Sequence, residues 1–589
     1  MSKKLAELVR KTNQGLAHTE TKNLFRLLAK VLQSASLKVP VHKERYDKLQ
    51  GLLRNRKVRE FYEEACAVDP TMYEDSHSFF VAAQVAALVK KYPWPRSLLD
   101  LDPEEAAYAA VLKAEHKCKR MNQWFRAKRK CFYANEDFFE KMRAFISYVL
   151  GPLDREACFR QCDFGSGASV GVHGKLTHVG RKIDASEWTC TPAALPFLYA
   201  AMAQNHHAFP WEYREYGEDH RRVYCIGQTA KQLKKVSKNK NEFVPKTAAT
   251  HRSIRTEPLA NGFLQKGVDR YIRQRLLRIG LDLSDQRRNA AYARYGSEDW
   301  QKEDGFCTID LSSASDSISI ELVREVLPPE WFSFLNCLRS PSGDFGERGE
   351  MRYQGFVTMG NGFCFPLETL IFAAVCHASG CGRPRLDYVV YGDDIVVRRG
   401  HFREVLKNLS LCGFTPNKKK TFGEGPFRES CGADFWAGKD VRPFTLDFAL
   451  NSVQNVFKFL NLCRRNDATS SFFMEVWDFV LSLLPEDLHL YRPFKSEQSE
   501  SAIDPWVEPL AYSTSCSTWR WEKRIQNWTW VELGTIPCYD EGLYSEEARC
   551  YAILRGSEDR FTFRRMTRTR IRRIPDVRYI EKMYRHTVG

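Results

Sequence analysis

The sequence predicts an α+β fold, and three observations carry that prediction. Residues 1–150 show apolar positions at spacings of three and four, as in "LFRLLAKVLQ" and "FFEKMRAFISYVL", the period of helices with one buried face. From about Gly305 to Phe444 short strand-like runs alternate with helical segments, the pattern of a compact mixed unit. Near the end, "STWRWEKRIQNWTWVEL" sets Trp519, Trp521, Trp528 and Trp530 two apart in two runs, as in a hairpin with one aromatic face.

Length and charge narrow the function. The chain has 589 residues, 43% of them hydrophobic, enough to bury a large core in several lobes. Its net charge of +16 favours a polyanionic partner, with nucleic acid foremost and a membrane surface as the rival. No apolar run reaches the length of a membrane span, and the start reads as an amphipathic helix rather than a signal, so a cytosolic protein is expected. The 18 cysteines stand singly, without the paired spacing of zinc ligands, and are expected to be reduced and buried.

Two segments are strongly basic. Lys231 to Arg255 holds eight Lys or Arg and one acid and lacks apolar periodicity, so a basic loop or irregular arm is expected. Arg560 to Arg585 holds ten against two. Both suit sequence-independent contact with RNA phosphates, and either equally serves solubility. "FGSGASVG" at 164–171 lacks the strand, helix and distant acid of a dinucleotide fingerprint and reads as an ordinary loop.

The chemistry gathers between 305 and 444. In "YVVYGDDIVV" two apolar runs flank Gly392 and Asp393, a combination that reads as a tight hairpin turn. Adjacent carboxylates on such a turn repel unless a cation bridges them. Upstream, "GFCTIDLSSASDSISIELVREVL" forms a strand from Cys307 to Leu311 ending at Asp310, then a helix with Ile318, Leu322, Val323 and Val326 on one face. Asp310, Asp393 and Asp394 thus supply oxygen ligands for two Mg²⁺ ions roughly 3.5 to 4 Å apart, the arrangement used for displacement at phosphorus. Mn²⁺ is a plausible substitute.

The other candidates keep two readings each. Asp316 is an early helical residue in a capping box with Ser313, or a group near the sugar of an incoming nucleotide. Asn361, in "TMGNGF", presents its amide to a ribose hydroxyl, or belongs to a plain loop whose Gly360 and Gly362 allow close backbone approach. Lys418, Lys419 and Lys420 form a solvated run, or one of them neutralises or protonates a leaving pyrophosphate. Lys246, Arg252 and Arg255, in "PKTAATHRSIRTEP", could likewise grip the triphosphate from the other side.

In order, "TIDLSSASDS", "MGNGF", "YGDD" and "NKKKTF" resemble the A to D motifs of viral RNA-directed RNA polymerases. Together with "VLPPEWF", "LRSPSG" and "GEGPFRESCG", they are similar to the replicase catalytic subunit of levivirus-type positive-strand RNA bacteriophages. The resemblance covers roughly 243–444. It implies a right-hand fold: a helical N-terminal and fingers region over 1–240, fingers with a basic nucleotide-binding segment over 241–304, a palm over 305–444, and a thumb with a basic C-terminal region over 445–589. It implies metal ligation by Asp310, Asp393, Asp394 and the Leu311 carbonyl, with Lys419 or Lys420 as proton donor. It also places Lys246, Arg252 and Arg255 against the nucleotide and Cys431 and Gly432 against the primer end.

The implied activity copies single-stranded RNA from ribonucleoside triphosphates in the bacterial host cytoplasm. The implied partners are host elongation factors Tu and Ts and a small-subunit ribosomal protein. Asp310 to Asp316 is one residue longer than in many animal-virus polymerases, and Met359-Gly360 replaces the usual Ser-Gly. The competing readings are a reverse transcriptase and a basic RNA-binding protein without catalysis. The Trp-rich hairpin reads first as a packed face; the alternative is that an exposed ring stacks the first nucleotide during initiation.

Overall fold

The computed structural model describes residues 2–129, 135–165, 167–172, 177, 179–204, 223, 226–227, 229–465, 470–491, 503, 520–541 and 562–575. Within these the fold is mixed helix and strand, as the α+β expectation requires.

The first hundred residues are helical: α1 (Ser2–Lys38), α2 (Lys43–Arg54), α3 (Val58–Cys66) and α4 (Ser76–Lys90). Asp75 starts α4 by accepting the backbone N–H groups of His77 and Ser78, satisfying donors that no helical carbonyl reaches. The long α5 (Pro103–Lys128) begins in the same way, with Asp102 as cap, Pro103 at the first position and Glu104 and Glu105 facing the positive end of the dipole. Next comes α6 (Glu136–Leu150), which turns its Phe139, Met142, Ile146 and Leu150 face into the interior.

The basic segment is not a loop. It forms a hairpin of β1 (Asn239–Thr247) and β2 (Thr250–Thr256), whose β-branched and aromatic residues outweigh its charge in setting local structure. Then α7 (Leu259–Arg278) and α8 (Arg287–Glu298) lead to β3 (Phe306–Ile309). This strand ends one residue before Asp310, because the Asp310 carbonyl accepts the Asn417 N–H at 2.9 Å and leaves the sheet. After a 3₁₀ turn at Ser315–Ser317, α9 (Ile320–Val326) buries Leu322, Val323 and Val326. Its cap is Ser319, whose Oγ accepts the Leu322 N–H; the expected capping box of Ser313 and Asp316 is not formed.

Strands β4 (Ser342–Asp344) and β5 (Glu350–Arg352) extend the basic hairpin into a sheet of order β2-β1-β4-β5. The apolar α10 (Cys364–Ala378) precedes β6 (Tyr388–Tyr391) and β7 (Asp394–Arg398). β3, β7 and β6 form an antiparallel sheet in that order, with Ile309 opposite Ile395 and Tyr391 opposite Asp394. Behind it lie α6, α7, α9, α10 and α11 (Arg399–Leu411), sharing one core that includes Phe139, Phe263, Leu322, Leu370 and Val397. The hairpin of β8 (Phe427–Ser430) and β9 (Ala433–Trp436) follows.

A second core joins the two ends of the described chain. Helices α12 (Val453–Arg465) and α13 (Ser470–Leu481) pack against α1, and one apolar cluster takes in Val31, Leu32 and Val81 together with Val456, Phe457 and Phe473. Polar contacts fix this union: Ser34 Oγ donates to the Phe472 carbonyl at 3.1 Å, and Gln84 exchanges two hydrogen bonds with the Phe444 backbone.

The Trp-rich hairpin is present as β10 (Arg520–Glu522) and β11 (Asn527–Glu541), with Trp521 opposite Trp528 and their rings 5.8 Å apart. Trp530 is buried, and Trp519 lies outside the described residues. β12 (Thr562–Pro575) pairs along β11, so part of the basic C-terminal segment is a strand; its remaining residues lie outside the described ones.

The 13 cysteines whose side chains are described are free, and most are buried. Among the described residues no helix is long and apolar enough to cross a membrane.

Candidate active site

The hairpin tip between β6 and β7 has two residues. Gly392 takes φ +61°, the positive first position that two-residue hairpins of the primed types demand. A Cβ there would lie 2.4 Å from the Phe365 ring, so both the turn and the packing beneath it require glycine. Its N–H donates to Thr369 Oγ1 at 3.0 Å, anchoring the tip to α10.

The tip and the end of β3 deliver Asp310, Asp393 and Asp394 to one open cleft of about 790 Å³, shared with Lys246, Arg252 and Lys420. Burial raises the pKa of all three acids; for Asp393 the neighbouring Asp394 raises it further. Asp310 Oδ2 accepts from Asn417 Nδ2 at 2.9 Å, and Asp394 Oδ1 accepts from the Cys431 N–H at 2.9 Å and from Ser430 Oγ at 3.2 Å. Among the described residues no three Asp, Glu, His or Cys side chains already surround a single point at coordinating distance. The donors are all oxygen, and the Leu311 that follows Asp310 lines the same cleft, a set that suits a hard divalent cation.

The lysines separate. Lys418 and Lys419 are exposed, whereas Lys420 lines the cleft with its Nζ 3.4 Å from Glu429 and 4.0 Å from Asp310. Burial opposes its charge, but Glu429 and then Asp310 outweigh it and hold its pKa above the ordinary value. Across the cleft, burial and then Arg252 lower the pKa of Lys246.

Arg255 does not reach the cleft. It is 1% exposed and paired with Glu115 at 3.2 Å, with its guanidinium 4.0 Å from the Tyr353 ring centroid. Lys246 and Arg252 line the cleft; Arg255 sits behind its wall. Asp316 and Asn361 do line it, and Asn361 Oδ1 accepts the Phe363 N–H at 3.1 Å. The close approach at Gly360 is to protein, since a Cβ there would lie 2.1 Å from the Arg255 carbonyl oxygen. Cys431 and Gly432 form the β8–β9 turn, both with positive φ.

Three acids and an amide escaped the sequence reading. Glu429 partners Lys420, and Asn417 holds Asp310. Glu368 lies on α10 beside Gly392, with Oε2 buried and unpartnered, and burial followed by Asp393 drives its pKa well up. A lone acid in the apolar run "CFPLETLIF" was the available signal for it. Glu115 gave none.

The three acids and the three cations Lys246, Arg252 and Lys420 thus line one cleft, a mixture that suits a divalent cation beside phosphate groups. The family model for RNA replicase, beta-chain, matches residues 47–550, and the chain belongs to that family. The RNA-directed RNA polymerase beta chain of Enterobacteria phage fr is 36% identical over 389 residues, 65% of this chain and 68% of that relative. The RNA-directed RNA polymerase subunit beta of Escherichia virus Qbeta is 35% identical over 371 residues, 62% of this chain but 58% of its own length. A solved "RdRp complex" aligns over 60% of this chain and 34% of its own at 12% identity, with a TM-score of 0.36.

Proposed function

We propose that this chain is the catalytic subunit of a phage RNA-directed RNA polymerase. It transfers nucleoside monophosphate from a ribonucleoside triphosphate to a growing RNA on a single-stranded RNA template and releases pyrophosphate. The observation that carries this reading is the convergence of Asp310, Asp393 and Asp394 on one cleft whose walls bear Lys246, Arg252 and Lys420. In this reading the β3-β7-β6 sheet is the palm, the basic hairpin belongs to the fingers, and the segment after 445 is the thumb.

Asp310, Asp393 and Asp394, with the Leu311 carbonyl, would hold Mg²⁺, which supplies charge neutralisation for the phosphates and acidifies the attacking hydroxyl. Lys246 and Arg252 bind the triphosphate, and Asp316 and Asn361 face its ribose. Lys420, kept protonated by Glu429, donates its proton to the departing pyrophosphate oxygen. Binding and alignment of the two substrates supply the remainder, since phosphoryl transfer needs little covalent help from protein. The template and the host partners, elongation factors Tu and Ts and a ribosomal protein, are part of the same proposal. They rest on family resemblance, as does action in the bacterial cytoplasm.

The test is incorporation of labelled ribonucleotides on single-stranded RNA with Mg²⁺, with and without bacterial extract, beside Asp393→Asn. Template-length product from the native chain and none from the variant is expected. Equal product from both refutes the site, and RNA binding without synthesis under any condition refutes the activity.

A further inference from the structure

Residues three apart on a strand face opposite sides, so Arg252 and Arg255 of β2 part company: one enters the cleft and the other goes beneath it. What Arg255 does there is specific. Its N–H donates to the Met359 carbonyl at 2.8 Å, and Gly360 is pressed against its own carbonyl. Its Nη1 meets Glu115 Oε1, while Glu115 Oε2 accepts the N–H groups of Gln354 at 2.6 Å and Gly355 at 3.2 Å. That backbone in turn pairs with the segment after Asp316: the Phe356 N–H donates to the Ile318 carbonyl at 2.7 Å, and the Ile320 N–H to the Gln354 carbonyl at 3.2 Å. Arg255 Nε and Nη2 are buried without a partner, although Asp316 is close enough to feel the charge.

We infer that Arg255 and Glu115 are positioning residues for ribose recognition, although neither touches the nucleotide. Arg255, through its backbone and its buried ion pair with Glu115, joins the two loops that carry Asp316 and Asn361, and its guanidinium charge acts on the Asp316 carboxylate without a hydrogen bond to it. A buried pair of this kind contributes little net stability compared with an apolar substitute, but it fixes one geometry. Sugar selection depends on such a geometry, because rejecting a 2′-deoxy substrate requires polar groups aligned to the hydroxyl that it lacks. The inference rests on the polymerase reading and adds residues to it.

The test is single-nucleotide incorporation on a primed RNA template by the native chain, Arg255→Lys and Glu115→Gln, each with its complement of host factors if extract proves necessary. kcat and KM are measured separately for a ribonucleotide and its 2′-deoxy counterpart. Both variants are expected to keep RNA binding and to lose roughly tenfold or more of the ribose to deoxyribose preference, mostly through KM for the ribonucleotide. The double variant should lose no more than the worse single one, because the two residues act as one unit. A preference unchanged within about twofold in either folded variant overturns the inference, even if the overall rate falls. Glu115→Gln preserves volume and serves if Arg255→Lys does not fold. A native chain that incorporates neither sugar refutes the polymerase reading, and this inference with it.

Discussion

Substituting Gly360 with alanine adds one methyl group at a point where two independent penalties coincide. At φ +110° an L-residue occupies a strained backbone region, which costs about 1 to 3 kcal/mol. The new Cβ would also lie 2.1 Å from the Arg255 carbonyl oxygen, where ordinary contact begins near 3.4 Å. That oxygen belongs to a backbone whose N–H is already committed to Met359, so it yields only if the hairpin moves, at about a further 1 to 3 kcal/mol. The sum is roughly 2 to 6 kcal/mol, relieved by displacement of the loop that carries Asn361. Gly425 is the control: φ is +68° and nothing lies within 4 Å of its Cβ, so alanine there costs about 1 to 2 kcal/mol of strain alone. Thermal unfolding and nucleotide KM are to be measured for both variants. Gly360→Ala should melt earlier and raise KM by tenfold or more, with Gly425→Ala close to native in KM. Native-like melting and KM in Gly360→Ala, or equal damage in the two, would refute the claim that this contact sets the loop.

Other predictions concern charge. Lys420→Ala should lower kcat by roughly 10² to 10⁴-fold, as loss of a general acid does, while Lys419→Ala stays within about threefold; equal effects would remove Lys420 from the mechanism. Because burial raises the pKa of Asp310, Asp393 and Asp394, protons compete with Mg²⁺ at a higher pH than for ordinary carboxylates. The Mg²⁺ concentration for half-maximal synthesis should therefore rise as pH falls from 8 to 6, and a flat response would contradict that. Asp434 is pushed up to about 6 by burial, against the pull of Arg442. The folded state binds its proton more tightly than the unfolded chain does, so its contribution favours the fold below pH 4 and is lost as pH rises through 6. Asp434→Asn should flatten stability over that window by about 2 to 3 kcal/mol, read from melting at successive pH values.

The parts of the site that were legible are those specified by short local patterns. Gly392 between two apolar runs can form little except a hairpin, which put Asp393 at its tip and Asp394 beside it, and the run before Asp310 has strand length and composition, although the strand stops one residue short of it. Arg255 was placed wrongly because a segment read as a loop has no faces, whereas a strand sends Arg252 and Arg255 to opposite sides. Lys419 and Lys420 are equivalent in the sequence, and the partner that distinguishes them, Glu429, arrives from the next hairpin. Glu115 is 140 residues from Arg255 in the chain, a separation no local pattern bridges.

The second hydrophobic core has a consequence for synthesis in the cell. Helices made first, with Leu27, Val31 and Val81 facing inward, find their partners in Val456, Phe457 and Phe473, more than 350 residues later. At ordinary elongation rates that interval is on the order of tens of seconds. Throughout it the apolar faces of the nascent N-terminal helices wait on the ribosome with an incomplete core. The core that seats these N-terminal helices is therefore completed only once the helices over 453–481 have been made.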